Sequence, residues 1–353
     1  MKKTASKDTV SSRPIVITGL QSTHHSLHLG HYFGVMPSLL DYQDKSDLFL
    51  FVADLHSLTP KEYDFKNLWA NKLSLIFTYI ACGIDLNKTK MFFQSDVSAH
   101  PQLSWLLTCQ TTIGELNRMT QFKDKSQKSA QNGTDYIPTG LLVYPPLMAA
   151  DILLYDANFV PVGADQKQHL ELTRDVAIRF NNKFGKTFTI PEPHISTVGA
   201  KIQDLKTPSK KMSKSSADPS GVIFLLDDPE LAHKKIMTAL TDNLNKVKFD
   251  PKTQPGISNL ITIASCLTKK DIKEIEKKYS NIKNYGEFKR DIADGIKELL
   301  IKFQARYKKA QNEQDKILDK IAKITVECNK ISQKKLSLVY DRMGIRPAAK
   351  IKK

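Results

Sequence analysis

Along the first hundred residues the apolar positions come in two alternating patterns. Pro14-Ile15-Val16-Ile17-Thr18-Gly19 is a short unbroken apolar run of the kind that forms a buried strand, and Gly30 to Leu40 has the three-and-four spacing of a helix. Asp47 to Asp54, through Leu48-Phe49-Leu50-Phe51-Val52, predicts a second buried strand, and the stretch from Phe65 to Cys82 predicts the helix that follows it. Lys90-Met91-Phe92-Phe93-Gln94 predicts a third strand. Strands alternating with helices imply an α/β fold with a Rossmann-like parallel sheet, whose ligands lie at the carboxyl ends of the strands.

From about residue 227 the pattern changes to Lys/Glu-rich amphipathic helices, broken by turns at Asp250-Pro251 and Gln254-Pro255-Gly256. The expected organisation is therefore a disordered polar lead over 1–13, an α/β unit over 14–226 and an all-helical unit over 227–353. The last six residues, 348–353, read as a frayed basic tail. No repeat of 20 to 50 residues is evident.

Length and composition agree with this division. A chain of 353 residues exceeds the usual size of one core, and 41% hydrophobic with 25% charged residues is ordinary for a globular protein. No apolar run reaches the roughly 18 residues a membrane span needs, and MKKTASKDTVSSRP lacks the apolar stretch of a secretory signal. The expectation is a soluble cytoplasmic protein with no membrane partner. Cys82, Cys109, Cys266 and Cys328 are too scattered for a zinc site and read as reduced thiols.

Charge adds a functional hint. The net charge is +16, yet residues 231–353 carry 29 Lys and Arg against 14 Asp and Glu, while residues 1–230 carry 24 against 23. A strongly basic helical third beside a nearly neutral α/β unit suits contact with phosphate backbones. A lysine-rich genome is the plain alternative, but it would spread the lysines more evenly.

Two motifs carry the candidate chemistry. Gly19-Leu20-Gln21-Ser22-Thr23-His24-His25-Ser26-Leu27-His28-Leu29-Gly30-His31 joins the first strand to the first helix, placing His28 and His31 around a glycine at a helix start. Helix starts attract anions, and Gly30 lets a nucleotide approach the backbone closely. Surface histidines at a cap are the plain reading of that motif alone. The second motif is Lys210-Lys211-Met212-Ser213-Lys214-Ser215. Lysines three apart among small residues can swing positive charge onto a departing pyrophosphate, although most lysine clusters are only solvated loops. A third stretch, Leu147 to Leu154, puts Met148 and Asp151 one helical turn apart on one face. A polarizable wall beside a carboxylate marks this stretch as a candidate pocket. A core helix whose Asp151 caps or pairs elsewhere is the structural alternative.

Together these residues resemble the class I aminoacyl-tRNA synthetases. His28-Leu29-Gly30-His31 looks like the HIGH element of that family, and Lys211 to Ser215 reads KMSKS. Gly114 to Lys125, Tyr144 to Leu153 and Val160 to His169 are similar to the bacterial tryptophanyl branch, and the resemblance runs from about Ile15 into the C-terminal helices. It implies ATP-dependent activation of L-tryptophan and its transfer to tRNA(Trp). It also implies a homodimer, magnesium carried with ATP rather than on a protein-built metal site, and a C-terminal anticodon-binding domain.

By the same resemblance, His28, His31, Lys211, Lys214 and Lys125 serve the pyrophosphate chemistry. Gln21, Gly30, His31, Gly163, Asp165, Ile202, Met212, Ser213 and Lys214 surround ATP. Asp151, Met148, Tyr144, Gln166, Val160, Val162 and His56 surround tryptophan, with Asp151 receiving the indole N–H. Tyr144 and Gln166 take the ammonium and carboxylate end, assisted by Gln21. The first loop is one residue longer than the tryptophanyl pattern and ends His-Leu-Gly-His, as in the tyrosyl branch. Ile17 and Ala53 stand where bacterial relatives often have larger groups. A tyrosyl-tRNA synthetase is therefore the nearest alternative, although Met148 stands where tyrosyl enzymes typically place a glutamine. More distant rivals are a small-molecule nucleotidyl transferase with an HxGH loop, which would lack the basic helical third, and an RNA-binding regulator on a degenerate core, which would not need His28, His31, Lys211 and Lys214.

Overall fold

The computed structural model describes residues 13–21, 27–60, 63–131, 137–163, 166–194, 199–213, 216 and 218–345, without the side chains of Lys125 and of 127–131. The expected polar lead, apart from Arg13, and the expected basic tail lie outside the described residues.

Five parallel strands form the sheet: β1 (Ile15–Leu20), β2 (Asp47–Val52), β3 (Thr89–Phe93), β4 (Phe159–Pro161) and β5 (Glu192–His194). Their order is β3-β2-β1-β4-β5. β2 is buried from Leu48 to Val52 without alternation, as expected of a strand covered on both faces. The chain leaves β1 toward β2 on one side and returns to β4 on the other. The crevice at the carboxyl end of β1 is thus the topological switch point, where open α/β sheets bind ligands. β4 and β5 are three residues long and contain prolines, so no apolar run in the sequence announces them.

Helices cover both faces. The helix expected over 30–40 is two: α1 (Leu29–Gly34) and α2 (Met36–Lys45), which meet at Val35, ahead of Pro37. Proline has no N–H to continue a helical ladder and favours a first turn, which accounts for the break. With α3 (Leu68–Cys82), these helices pack on one face. On the other face lie α4 (Ala99–Thr108), α5 (Ile113–Asn117), α6 (Thr120–Gln131), α7 (Thr139–Leu153) and α8 (Lys167–Phe184).

The remaining helices are α9 (Pro229–Met237), α10 (Pro255–Thr268), α11 (Ile272–Lys278), α12 (Gly286–Asn312) and α13 (Gln314–Met343). α12 buries Phe288, Ile292, Ile296, Leu300 and Phe303, at helical spacing, in the core that α3 shares. α13 turns back and buries Ile324, Cys328, Leu336 and Val339 in the opposite layer, beside β3 and α4. Side chains fix it there: Asn329 Nδ2 donates to the Asp96 carbonyl at 3.0 Å and Gln333 Nε2 to Ser98 Oγ at 3.1 Å. Cys82 and Cys328 are buried, Cys266 is half-buried and Cys109 is exposed, all as free thiols. Among the described residues no helix is long and apolar enough to cross a membrane.

Candidate active site

The two motifs, far apart in sequence, meet at the end of β1. Residues 27–29 pair with 223–225: Leu29 N–H donates to the Ile223 carbonyl at 3.0 Å and Leu225 N–H to the Leu27 carbonyl at 2.8 Å. His28 is 2% exposed, with its ring 4.3 Å from that of His31 and 6.4 Å from that of Phe224. The second motif joins through Met212, which is buried and donates its N–H to the Ile202 carbonyl at 3.1 Å. A Cβ built on Gly30 would lie 2.9 Å from the His28 ring and 3.7 Å from Met212 Cβ, so glycine is what lets the two elements close up here. The Gly30 N–H is not offered to an anion, because His28 Nδ1 accepts it at 3.1 Å. Lys211 projects into solvent and Ser213 is half-buried beside it. Lys214 and Ser215 lie outside the described residues.

Asp204 organises the turn that carries the second motif. Its buried carboxylate accepts from Lys206 N at 2.8 Å, Thr207 N at 2.9 Å and Ser216 Oγ at 2.7 Å. A Cβ on Gly221 would fall 2.1 Å from Asp204 Oδ1. Gly221→Ala must therefore displace Asp204. We expect a stability loss of about 2 kcal/mol by denaturant titration, as for an overpacked buried site. Unchanged stability would show that Asp204 does not hold this turn.

The second half of the site centres on Asp151, in α7, which is completely buried. Three side chains from three strand ends or helices converge on its carboxylate. His56, in the turn after β2, has Nε2 2.9 Å from Oδ2; His100, in α4, has Nδ1 2.6 Å from Oδ1. Gln94, directly after β3, donates from Nε2 to both oxygens at 2.8 and 2.9 Å, while its Oε1 accepts the Leu55 N–H at 3.1 Å. Burial by itself would push the carboxyl up, but hydrogen bonds and charge from His100 and His56 prevail and hold it at about 2. Asp151 is thus an anion throughout the neutral range. Together they make four contacts, two at each oxygen, which matches the roughly four acceptor positions of a carboxylate, so a ligand N–H would take the place of one of them; half-buried His56 is the most accessible of the three donors.

The other expected tryptophan residues line the same apolar layer. Val160 is buried on β4; Met148 and Val162 are half-buried against it, and Ile17 and Ala53 are buried behind. Tyr144 is half-buried, with its hydroxyl 2.5 Å from His169 Nε2 and its ring 6.0 Å from that of His56. Gln166, the residue before α8, is half-buried; Gln21 and Gly163 are exposed at the ends of β1 and β4. Asp165 and the Lys125 side chain lie outside the described residues.

Sequence reading did not find Gln94, His100 or Tyr155. Gln94 had a signal, as a polar residue ending an apolar run at the carboxyl end of a strand. His100 and Tyr155 had none. It also missed the buried pair of Lys72 and Asp54; Asp54 accepts from Ser95 N at 3.0 Å and so ties the loop before His56 to the residue after Gln94. Among the described residues no group of three or more His, Cys, Asp or Glu could hold a metal ion.

Comparison with known proteins gives consistent matches. The family described as tRNA synthetases class I (W and Y) matches residues 9–301. The chain is 53% identical over 331 residues to a Tryptophan--tRNA ligase of Malacoplasma penetrans, covering 94% of this chain and 98% of that protein. It is 45% identical to the Tryptophan--tRNA ligase of Bacillus anthracis, over 94% of this chain and 98% of the relative. Among solved structures, tryptophanyl-tRNA synthetase from Mycoplasma pneumoniae superposes with a TM-score of 0.83 at 40% identity, over 96% of this chain and 100% of that one. The Campylobacter jejuni enzyme, complexed with ADP and tryptophan, gives 0.80 at 31% identity, over 94% and 99%.

Proposed function

The chain belongs to the class I tRNA synthetases of the tryptophan and tyrosine group, and from that premise we propose that it is the ligase that activates L-tryptophan with ATP and loads it onto tRNA(Trp). The observation that carries the choice of amino acid is the buried, ionised Asp151, whose carboxylate takes only N–H or O–H donors as partners. An indole N–H satisfies it; a phenyl ring cannot. The tyrosyl alternative is not favoured, since relatives matched over nearly their whole length are tryptophan ligases.

The reaction we propose is in-line attack of the tryptophan carboxylate on the α-phosphorus of ATP. An O–P bond forms as the bond to the bridging oxygen breaks, and pyrophosphate leaves toward Lys211, Lys214, Lys125, His28 and His31. No side chain becomes a nucleophile. Rate comes from alignment and from cations placed where the leaving group gains charge. Tyr144 and Gln166, with Gln21, hold the ammonium and carboxylate end; Met148, Val160, Val162 and His56 enclose the ring. Gly30, Gly163 and Ser213 admit the nucleotide, and Asp165 meets its ribose. Because the Met212 N–H is engaged by Ile202, these two residues have the Ile202 N–H and the Met212 carbonyl to offer adenine. A ribose hydroxyl at the 3′ end of the RNA then attacks the carbonyl carbon of the adenylate and expels AMP.

Magnesium fits this site only as an escort of ATP. The residues around the nucleotide are cationic, and the described residues provide no ligand cluster, so the ion would be held by phosphate oxygens and water and would offset their charge. The basic helices after residue 227 are proposed as the anticodon-reading surface, where phosphates supply affinity. We place the enzyme in the cytoplasm as a homodimer.

Charging assays test the proposal. With ATP, the protein should load labelled tryptophan onto tRNA(Trp) and leave tRNA(Tyr) with labelled tyrosine uncharged. Loading of tyrosine would overturn it.

A further inference from the structure

Behind the carboxylate assigned to the indole runs a buried polar chain that links two helices. His100 is completely buried, with Nδ1 2.6 Å from Asp151 Oδ1 and Nε2 2.9 Å from the Tyr155 hydroxyl. Tyr155, just past α7, is 2% exposed; Ser332 of α13, itself completely buried, lies near it and donates its hydroxyl to the Asn329 carbonyl at 3.1 Å. Both ring nitrogens of His100 are therefore spoken for, and neither faces a reacting atom. The ring is packed among Phe51, Phe92 and Tyr155, with centroids 5.9, 6.0 and 5.6 Å away.

We infer that His100 is a positioning residue for amino-acid selection: clamped between Asp151 and the Tyr155 hydroxyl, it fixes the direction and the charge of the carboxylate that receives the indole N–H. The inference rests on the assignment of Asp151 to the indole. A buried carboxylate left with fewer donors can rotate or take up a proton, and a protonated acid has one acceptor fewer for the indole. An ionised carboxylate only accepts, so the His100 proton sits on Nδ1. The titratable groups around Asp151 are His56 from the turn after β2 and His100 from α4, with Tyr155 beyond His100; Gln94 is uncharged.

The sign of the pH effect follows from these neighbours. Burial opposes the Asp151 charge and the two histidines sustain it. Without His100, the carboxyl moves up toward neutrality. Tryptophan recognition then becomes strong at high pH and weak at low pH, whereas in the wild type Asp151 contributes no pH dependence above about pH 5.

The test is ATP–pyrophosphate exchange from about pH 6 to pH 9 with wild type, His100→Leu, His100→Asn and Asp151→Asn. His100→Leu should raise the tryptophan KM about tenfold near pH 6 and recover most of that by about pH 9, with kcat within about threefold. His100→Asn keeps an amide donor near the Nδ1 position and should lie closer to wild type. A KM in His100→Leu that matches wild type, or is raised by one factor at every pH, overturns the inference. Asp151→Asn separates the two levels of the argument. If it raises KM while His100→Leu does not, only the role of His100 fails; if it leaves KM unchanged, the assignment of Asp151 itself fails. Should His100→Leu not fold, nitrogen-15 NMR of histidine-labelled wild type decides. The ring signal lost in His100→Asn must report an Nδ1-protonated imidazole, and an Nε2-only tautomer contradicts the inference.

Discussion

Asp151→Ala will erase discrimination between tryptophan and phenylalanine. In the wild type, phenylalanine has no N–H to offer the Asp151 carboxylate inside an apolar layer, and a site built around such a hydrogen bond rejects the analogue that lacks it by about 10⁴ to 10⁵. The alanine variant has no carboxylate to leave unpaired. It also frees His56, His100 and Gln94, whose donors converge on that side chain. The kcat/KM ratio for the two amino acids in pyrophosphate exchange should collapse by about 10³ or more. Most of the change should fall on tryptophan. A ratio that survives within about tenfold would take specificity away from Asp151.

Lys214→Ala should show the opposite division. The second motif is anchored by buried Met212 against Ile202, and by Asp204 beneath its turn, while the Lys211 side chain is exposed. Lysines carried on such a segment act when negative charge builds on the leaving pyrophosphate. Removing one should slow adenylate formation by about 10² to 10³, the range found for losing one preorganised electrostatic contact. Tryptophan affinity should hold within about threefold, because the ring and its N–H are read elsewhere. Single-turnover kinetics separates the two quantities. A large loss of tryptophan binding would contradict the assignment of the lysines to the leaving group.

What the sequence disclosed and what it hid divide along physical lines. β1, β2 and β3 are readable because strands covered on both faces need unbroken apolar runs, as in Leu48 to Val52. β4 and β5 are not, since three residues with a proline leave no such run; their place is set by pairing, β4 to β1 and β5 to β4. Asp151 was legible from its helical offset to Met148 and from the family resemblance. His100 was not, because its role exists only once α4 lies against α7, and no local spacing encodes that contact. The same holds for α13. Its amphipathic pattern shows that it has a buried stripe, but not that the stripe closes over β3 and α4 and brings Ser332 to Tyr155. Gln94 lies between these cases, because a polar residue at the end of a buried strand can be noticed, yet its partner across the sheet edge cannot.

The most direct test of the account is a crystal structure of the protein with a non-reactive tryptophanyl-adenylate analogue. The account predicts the indole nitrogen at about 3 Å from an Asp151 oxygen, with His100 still in place behind it, and the phosphate between Gly30 and the Lys211 segment. An indole nitrogen bonded to a different acceptor, or a phosphate remote from either motif, would contradict it.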